Sequence, residues 1–118
     1  MRKDKILVIG ANGQIGIVLT HALREIYGND NVLATDIRTS ETLNEPFEIL
    51  DVLDIEGLSN IVKRYDITQI YHLAAILSAN GEKNPRRTWD INMNGLFNIL
   101  EVAKEFSLNK VFFPTFIV

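Results

Sequence analysis

The sequence contains no cysteine, three prolines and one tryptophan in 118 residues. Without cysteine there is no disulfide framework, no thiolate-ligated zinc and no thiol nucleophile, which fits a reducing compartment. Excess positive charge is missing too: 12 Lys plus Arg stand against 15 Asp plus Glu, for a net charge of −3. The electrostatic footprint of a nucleic-acid or anionic-membrane binder is therefore lacking, and small molecules and protein partners remain. Long hydrophobic runs are also absent. The first apolar run, Ile6-Leu7-Val8-Ile9, stops at Gly10, short of the ~7 residues of a signal-peptide core and far short of the ~18 of a membrane span. A cytoplasmic location is the expectation. No period of about 20 to 50 residues recurs, so repeat architectures are set aside.

What is present is a composition of 47% apolar and 23% charged residues, close to the globular average and sufficient for one core. At this length one domain over residues 1–118 is expected. Its elements alternate. Lys5 to Gly10 is a β-branched apolar run closed by glycine, the mark of a strand buried on both faces. Ile15, Val18, Leu19, Ala22, Leu23 and Ile26 then recur at helical spacing as one apolar stripe, stopped by Gly28. Val32 to Thr35 reads as a second strand ending at Asp36, and Phe47 to Leu50 as a weaker third. Asp54 is placed to cap a helix carrying Leu58, Ile61, Val62 and Tyr65. Gln69 to Leu73 reads as a fourth strand, Asn84-Pro85 opens a long helix to about Phe106, and Val111 to Phe113 starts a fifth strand. Such alternation specifies right-handed βαβ crossovers, hence an α/β fold with a doubly wound parallel sheet. Three Asn-Gly pairs, at 12–13, 80–81 and 94–95, suggest hairpins by composition alone, but none lies between two alternating strands.

The first strand runs straight into Gly10-Ala11-Asn12-Gly13-Gln14-Ile15-Gly16. Gly10 turns the chain, Gly13 lets a pyrophosphate approach the backbone, and Gly16 lets helix and strand pack closely. The free N–H groups of that helix end then face the phosphates. Asp36 ends the second strand 20 residues after Gly16, where a dinucleotide fold places its ribose-binding acid. A 2′-phosphate there would meet like-charge repulsion on the order of several kcal/mol at ~4 Å. NAD is thus favoured over NADP. Arg38 argues the other way, since arginines near this strand end can hold a 2′-phosphate.

Gly10 to Gly16, Asp36, Asp51-Val52, His72-Leu73-Ala74-Ala75 and Asn92-Met93-Asn94-Gly95 follow in order and spacing. The sequence thereby resembles the extended short-chain dehydrogenase/reductases, the NAD-dependent epimerase/dehydratase superfamily with its Rossmann, NAD-binding domain. Within it, GANGQIG, HLAAILSA, EKNP and Trp89 to Asn94 most resemble short-chain-type L-threonine 3-dehydrogenases. The resemblance implies a cofactor site of Gly10, Asn12, Gly13, Gln14, Ile15, Gly16, Asp36 and Ile37 around the phosphates and ribose. Asp51 and Val52 would border the adenine, Leu73, Ala74 and Ala75 would line the cofactor, and Asn92 would tie the long helix to strand four. Ser78 would reach the substrate pocket. Plainer roles stand beside these: Asp51 and Asp54 as turn or capping acids, Ser78 as a loop serine, Asn92 as a solvated helix residue. His72 is expected in the core and His21 on the surface, with no metal site.

The catalytic pattern of the resembled family is incomplete. Its Tyr-x-x-x-Lys pair is not made by Tyr27, Tyr65 or Tyr71, which are followed four places on by Asn31, Gln69 and Ala75. Phe116 stands where the family's strand-end hydroxyl is expected, with Thr115 one residue away, and the sequence stops at Val118 just after strand five. A family member of ordinary length would carry a C-terminal substrate part, so the expectation is a Rossmann domain truncated after strand five and inactive alone. A cut or frameshifted product and a natural non-catalytic NAD-binding module both stay open. The complete enzyme would oxidise L-threonine to 2-amino-3-ketobutyrate, the alternative being a nucleotide-sugar epimerase or dehydratase. Trp89, Met93, Leu96, Phe97 and Leu100 form one apolar stripe of the long helix, and Ile91, Ile99, Val102 and Phe106 a second. One helix with two apolar faces needs two partners, so a homodimer or larger oligomer is expected.

Overall fold

The structure, a computed structural model, describes residues 4–74 and 85–113. Its elements are β1 (Ile6–Ile9), α1 (Gln14–Tyr27), a 3-10 turn (Asn29–Asn31), β2 (Val32–Asp36), β3 (Phe47–Ile49), α2 (Ile55–Arg64), β4 (Gln69–His72), α3 (Pro85–Glu105) and β5 (Lys110–Phe112). The sheet order is β3-β2-β1-β4-β5, with every described pair parallel. No hairpin therefore occurs among the described residues. Asn12-Gly13 turns β1 into α1 and Asn94-Gly95 lies inside α3, while Asn80-Gly81, like Asn84, falls outside the described residues.

β1 is central and wholly buried, and alternation divides its side chains between two cores. Leu7 and Ile9 join Leu58, Ile61, Val62, Ile99 and Val102 from α2 and α3, whereas Ile6 and Val8 join Leu23 of α1 on the opposite face. Each fully buried aliphatic side chain here stabilises the fold by roughly 1.5–3 kcal/mol relative to exposure. α2 starts where expected: the Asp54 carboxylate accepts the Gly57 N–H at 3.1 Å. α3 carries both expected apolar faces. Gly95, Ile99 and Val102 are buried, and Phe106 packs against the same core, whereas Trp89, Phe97 and Leu100 are exposed. Among the described residues no helix is long and apolar enough to cross a membrane.

α1 departs from the expected stripe. Ile15, Val18 and Ile26 are 62%, 70% and 72% exposed, and the buried positions are Gly16, Thr20, Leu23 and Arg24. The helix is rotated by about one residue, roughly 100°, from the phase its apolar side chains suggest. The cause lies in the turn before it, where a Cβ on Gly16 would stand 2.4 Å from the Gly10 carbonyl oxygen. Gly16 must face the sheet, and the residues four, seven and eight places on follow it inward. Burial lowers the pKa of the Arg24 guanidinium, an effect partly offset by Glu45. Its N–H groups are satisfied by carbonyls instead: Nη2 donates to Val32 and Pro46 at 3.2 and 2.7 Å, and Nη1 to Asn44 at 3.0 Å.

His72 is in the core as expected, beside Ile9 in the β1–β4 register, but among the described residues its Nδ1 has no hydrogen-bond partner. Burial pushes its pKa down to about 4. The unfolded imidazole takes up a proton near pH 6.5 and the folded one only near 4. Between those values the unfolded state holds more protons, so acidification favours unfolding. Urea unfolding midpoints should therefore fall from pH 7 to pH 4 with a His72 contribution of about 3 kcal/mol. That component should vanish in His72→Leu, and a wild-type pH dependence identical to the variant's would contradict the assignment.

Candidate functional site

The C-terminal ends of β1, β2 and β4 converge where the strand order changes direction, the position at which open parallel sheets bind ligands. Gly10 adopts φ 86°, and its N–H and that of Ala11 both donate to the Thr35 carbonyl, at 3.0 and 2.9 Å. A Cβ on Gly10 would lie 2.7 Å from Ala74 N and from Leu73 C, so the turn rests directly on the backbone leaving β4. The Leu73 N–H donates to Ile9 O at 2.7 Å and closes that contact. Glycine at 10 and 16 is thus required by the protein itself.

Gly13 is different. A Cβ there would meet nothing nearer than the Gly10 carbonyl oxygen at 3.8 Å, and the backbone, at φ −69° and ψ 166°, suits any residue. Internal packing does not call for glycine at 13, and the bare backbone there is open to approach from outside. Gly13 also precedes the first turn of α1, where no side chain caps the helix and no acidic residue stands. Gln14 and Ile15 are exposed beside it. Unpaired amides and the helix dipole at that end suit an anion.

Asp36 closes the site on the β2 side. Its Oδ2 accepts the Asn12 N–H at 2.9 Å and its Oδ1 the Ile37 N–H at 2.7 Å. The carboxylate is therefore fixed against the glycine turn. Of the expected cofactor residues, Asn12 turns its polar groups inward: Nδ2 donates to the carbonyls of Arg38 and Thr39 at 2.9 and 3.3 Å. Asp51 is exposed, its Oδ1 accepting the Leu53 N–H at 2.9 Å, so it does shape the turn after β3. Val52 is buried; a Cβ on Gly95 would lie 2.9 Å from its Cγ1, and Asn98 Nδ2 donates to its carbonyl at 3.0 Å. Asn92 is half-buried on the same helix. Ala75, Ser78, Thr115 and Phe116 lie outside the described residues.

Two contributors escaped the sequence reading. Asn98 anchors the Asp51-Val52 turn to α3, and Arg24 anchors the segment before β3. Arg24 carried one signal, a cation between Leu23 and Ile26 in an apolar run; Asn98 carried none. An open cleft of about 880 Å³ lies between edge strand β3 and α2 and meets the site only at Asp51. The glycine turn does not line it.

The match to known proteins agrees with this geometry. Residues 6–115 match the model of the NAD dependent epimerase/dehydratase family. The chain belongs to that family. An uncharacterized epimerase/dehydratase of Staphylococcus haemolyticus is 50% identical over 110 residues, 90% of this chain and 35% of that protein. A consensus L-threonine 3-dehydrogenase superposes with TM-score 0.89 at 50% identity, over 94% of this chain and 36% of that one. The holo form of a GalE-like L-threonine dehydrogenase from Cupriavidus necator gives TM-score 0.89 at 46% identity, covering 94% and 37%. The chain thus spans about a third of the length of these family members.

The two family glycines should separate on mutation. Gly16→Ala forces a methyl group against two carbonyls and should lower stability by about 2 kcal/mol or more. Gly13→Ala, in compatible backbone and open space, sets an unfolded-state gain of about 0.4–1 kcal/mol against alanine's weakness at the N-cap position of α1, and should change stability by less than about 1 kcal/mol. Urea titrations compare them, and equal losses would mean that Gly13 is also a packing glycine.

Proposed function

We propose that this chain is the NAD-binding part of an NAD-dependent oxidoreductase of L-threonine dehydrogenase type. The observation that carries the proposal is Gly13, a glycine that the protein's own packing does not require, set between an uncapped helix end and the Asp36 carboxylate. The donor set fits the cofactor: backbone amides of Gln14, Ile15 and Gly16 toward the pyrophosphate, Asp36 toward the ribose hydroxyls with Ile37 beside it, Asp51 and Val52 toward the adenine, Leu73 and Ala74 alongside. When bound, NAD supplies the hydride acceptor for oxidation of the L-threonine β-hydroxyl to 2-amino-3-ketobutyrate. This chain's residues bind and orient it. Identities of 46–50% to L-threonine dehydrogenases over 94% of the chain support that substrate class for the complete enzyme. With no Tyr-x-x-x-Lys in the sequence, the proton acceptor for the alcohol is lacking, and the chain by itself is not expected to turn over threonine. A second reading, nucleotide-sugar epimerase or dehydratase, is supported in its reaction class by the staphylococcal relative, an epimerase/dehydratase, and in its substrate class by the likeness to a UDP-glucose 4-epimerase, TM-score 0.77 at 26% identity.

Calorimetry tests the cofactor reading. NAD should bind more tightly than NADP, and Asp36→Ala should weaken NAD by about 10- to 100-fold, the range for a hydrogen bond to a charged group. Equal affinity for both cofactors, or no loss on mutation, would contradict it.

The same reading extends to assembly. Trp89, Phe97 and Leu100, at 65%, 53% and 43% exposure, form an outward stripe with the half-buried Met93 on the face of α3 away from the core. We propose that this stripe joins two copies of the chain, since contiguous exposed apolar surface favours association. Light scattering at about 100 μM should report a dimer or larger species, and Phe97→Lys should shift it toward monomer. A monomeric wild type would rule this out.

A further inference from the structure

The loop between Asp36 and Phe47 is fastened unevenly. At its far end Arg24 holds the carbonyls of Asn44 and Pro46, and in the middle Ser40 Oγ accepts the N–H groups of Thr42 and Leu43 at 3.2 and 2.8 Å. At its near end, from Ile37 to Ser40, beyond the Ile37 N–H given to the adjacent Asp36 carboxylate, the hydrogen bonds from outside the loop come, among the described residues, from the Asn12 side chain to Arg38 O and Thr39 O. Ile37, Arg38 and Thr39 are otherwise exposed, and the Arg38 guanidinium makes no hydrogen bond or ion pair with any described residue. Asn12 thus stands between two groups of opposite charge. Its backbone N–H fixes the Asp36 carboxylate, while its side-chain amide fixes the backbone from which Arg38 projects.

We propose that Asn12 is a positioning residue that sets the preference for NAD over NADP, by pinning the Arg38-Thr39 backbone so that the Arg38 guanidinium stays clear of the ribose 2′ position guarded by Asp36. This inference rests on reading the glycine turn as the NAD site. An arginine free to approach would pair with a 2′-phosphate and offset the repulsion from Asp36. A pinned one leaves the carboxylate to decide. Replacing Asn12 keeps its backbone N–H, and so keeps the Asp36 contact, while releasing the loop.

The test has one arm that needs no cofactor. Trypsin cuts after exposed arginine when the local backbone can open, so cleavage of the Arg38–Thr39 bond reads the pin, and cleavage after Lys63 in α2 reads general opening. Asn12→Ala and Asn12→Asp, the latter equal in shape but without the N–H donors, should both speed cutting at Arg38 by about tenfold and leave the Lys63 rate unchanged. Unchanged cutting at Arg38 overturns the pin, whatever the cofactor does. The second arm is calorimetry with NAD⁺ and NADP⁺. In Asn12→Ala the ratio of the NADP to the NAD dissociation constant should narrow by about tenfold. If both affinities fall by the same factor, Asn12 is merely structural and the selectivity claim is overturned. If the wild-type chain takes up neither nucleotide, the cofactor reading itself fails and the selectivity claim goes with it, while the cleavage arm still reports on the pin.

Discussion

The first turn of α1 lies against the backbone it has just left, with Gly16 pressed on the carbonyls of Gly10 and Ala11. A methyl group cannot fit there, so the contact fixes both where the helix starts and how it is rotated. Rotation brings Thr20, Leu23 and Arg24 to the sheet and sends Val18 and Ile26 to the surface. The same contact sets the start of the helix over the switch point, with its unpaired amides turned toward the space above Gly13. Were α1 rotated to bury its apolar stripe, Arg24 would leave the loop carbonyls it serves. A local steric fact therefore overrides a hydrophobic preference worth several kcal/mol in exposed Ile and Val side chains.

Around that contact the loops are held by side-chain amides and a guanidinium rather than by sheet ladders. Asn12 serves Arg38 and Thr39, Arg24 serves Asn44 and Pro46, and Asn98 serves Val52. All of these acceptors are backbone carbonyls in segments that flank strands, and Pro46 O also accepts the Ala34 N–H of β2 at 3.2 Å. A carbonyl half-withdrawn from water needs a donor, and an unpaired one costs about 1–3 kcal/mol. Spending three polar side chains this way leaves the connecting segments irregular yet placed, which is what a surface meant to receive a ligand requires.

The strand alternation, the Asp54 cap, the two-faced α3 and the Asp36 spacing were all legible in the sequence because each is a local signal: a run, a cap residue, a period, a distance along the chain. The phase of α1 was not. Its buried face carries Gly, Thr and Arg, types that a hydrophobic period counts as outward, and only the three-dimensional collision at Gly16 corrects the sum. The site followed the same division. Glycines 10, 13 and 16 were visible as a motif, but which of them the fold itself requires depends on the distant backbone of Leu73 and Ala74 leaving β4 and on how α1 folds back over Gly10 and Ala11. Asn98 was invisible for a related reason, since its partner Val52 lies 46 residues away in a turn. His72 was placed correctly in the core, yet nothing in its neighbours along the chain shows that Nδ1 lacks a partner there.

On the reading proposed above, the residues gathered at these strand ends hold the adenosine and pyrophosphate, the part of the cofactor that does not react. Such contacts are the same before and at the transition state, so by themselves they lower the dissociation constant and not the barrier. Their use in catalysis is orientation: a nucleotide fixed at one end presents its other end at a defined place, which removes much of the entropy of bringing two reactants together. That function demands stiffness more than affinity. It accounts for a turn in which two of three glycines are jammed against backbone, a carboxylate held by two amides and a loop tied at both ends by buried or half-buried donors. A looser turn could still bind the nucleotide, but it would deliver the reacting ring to a wider volume.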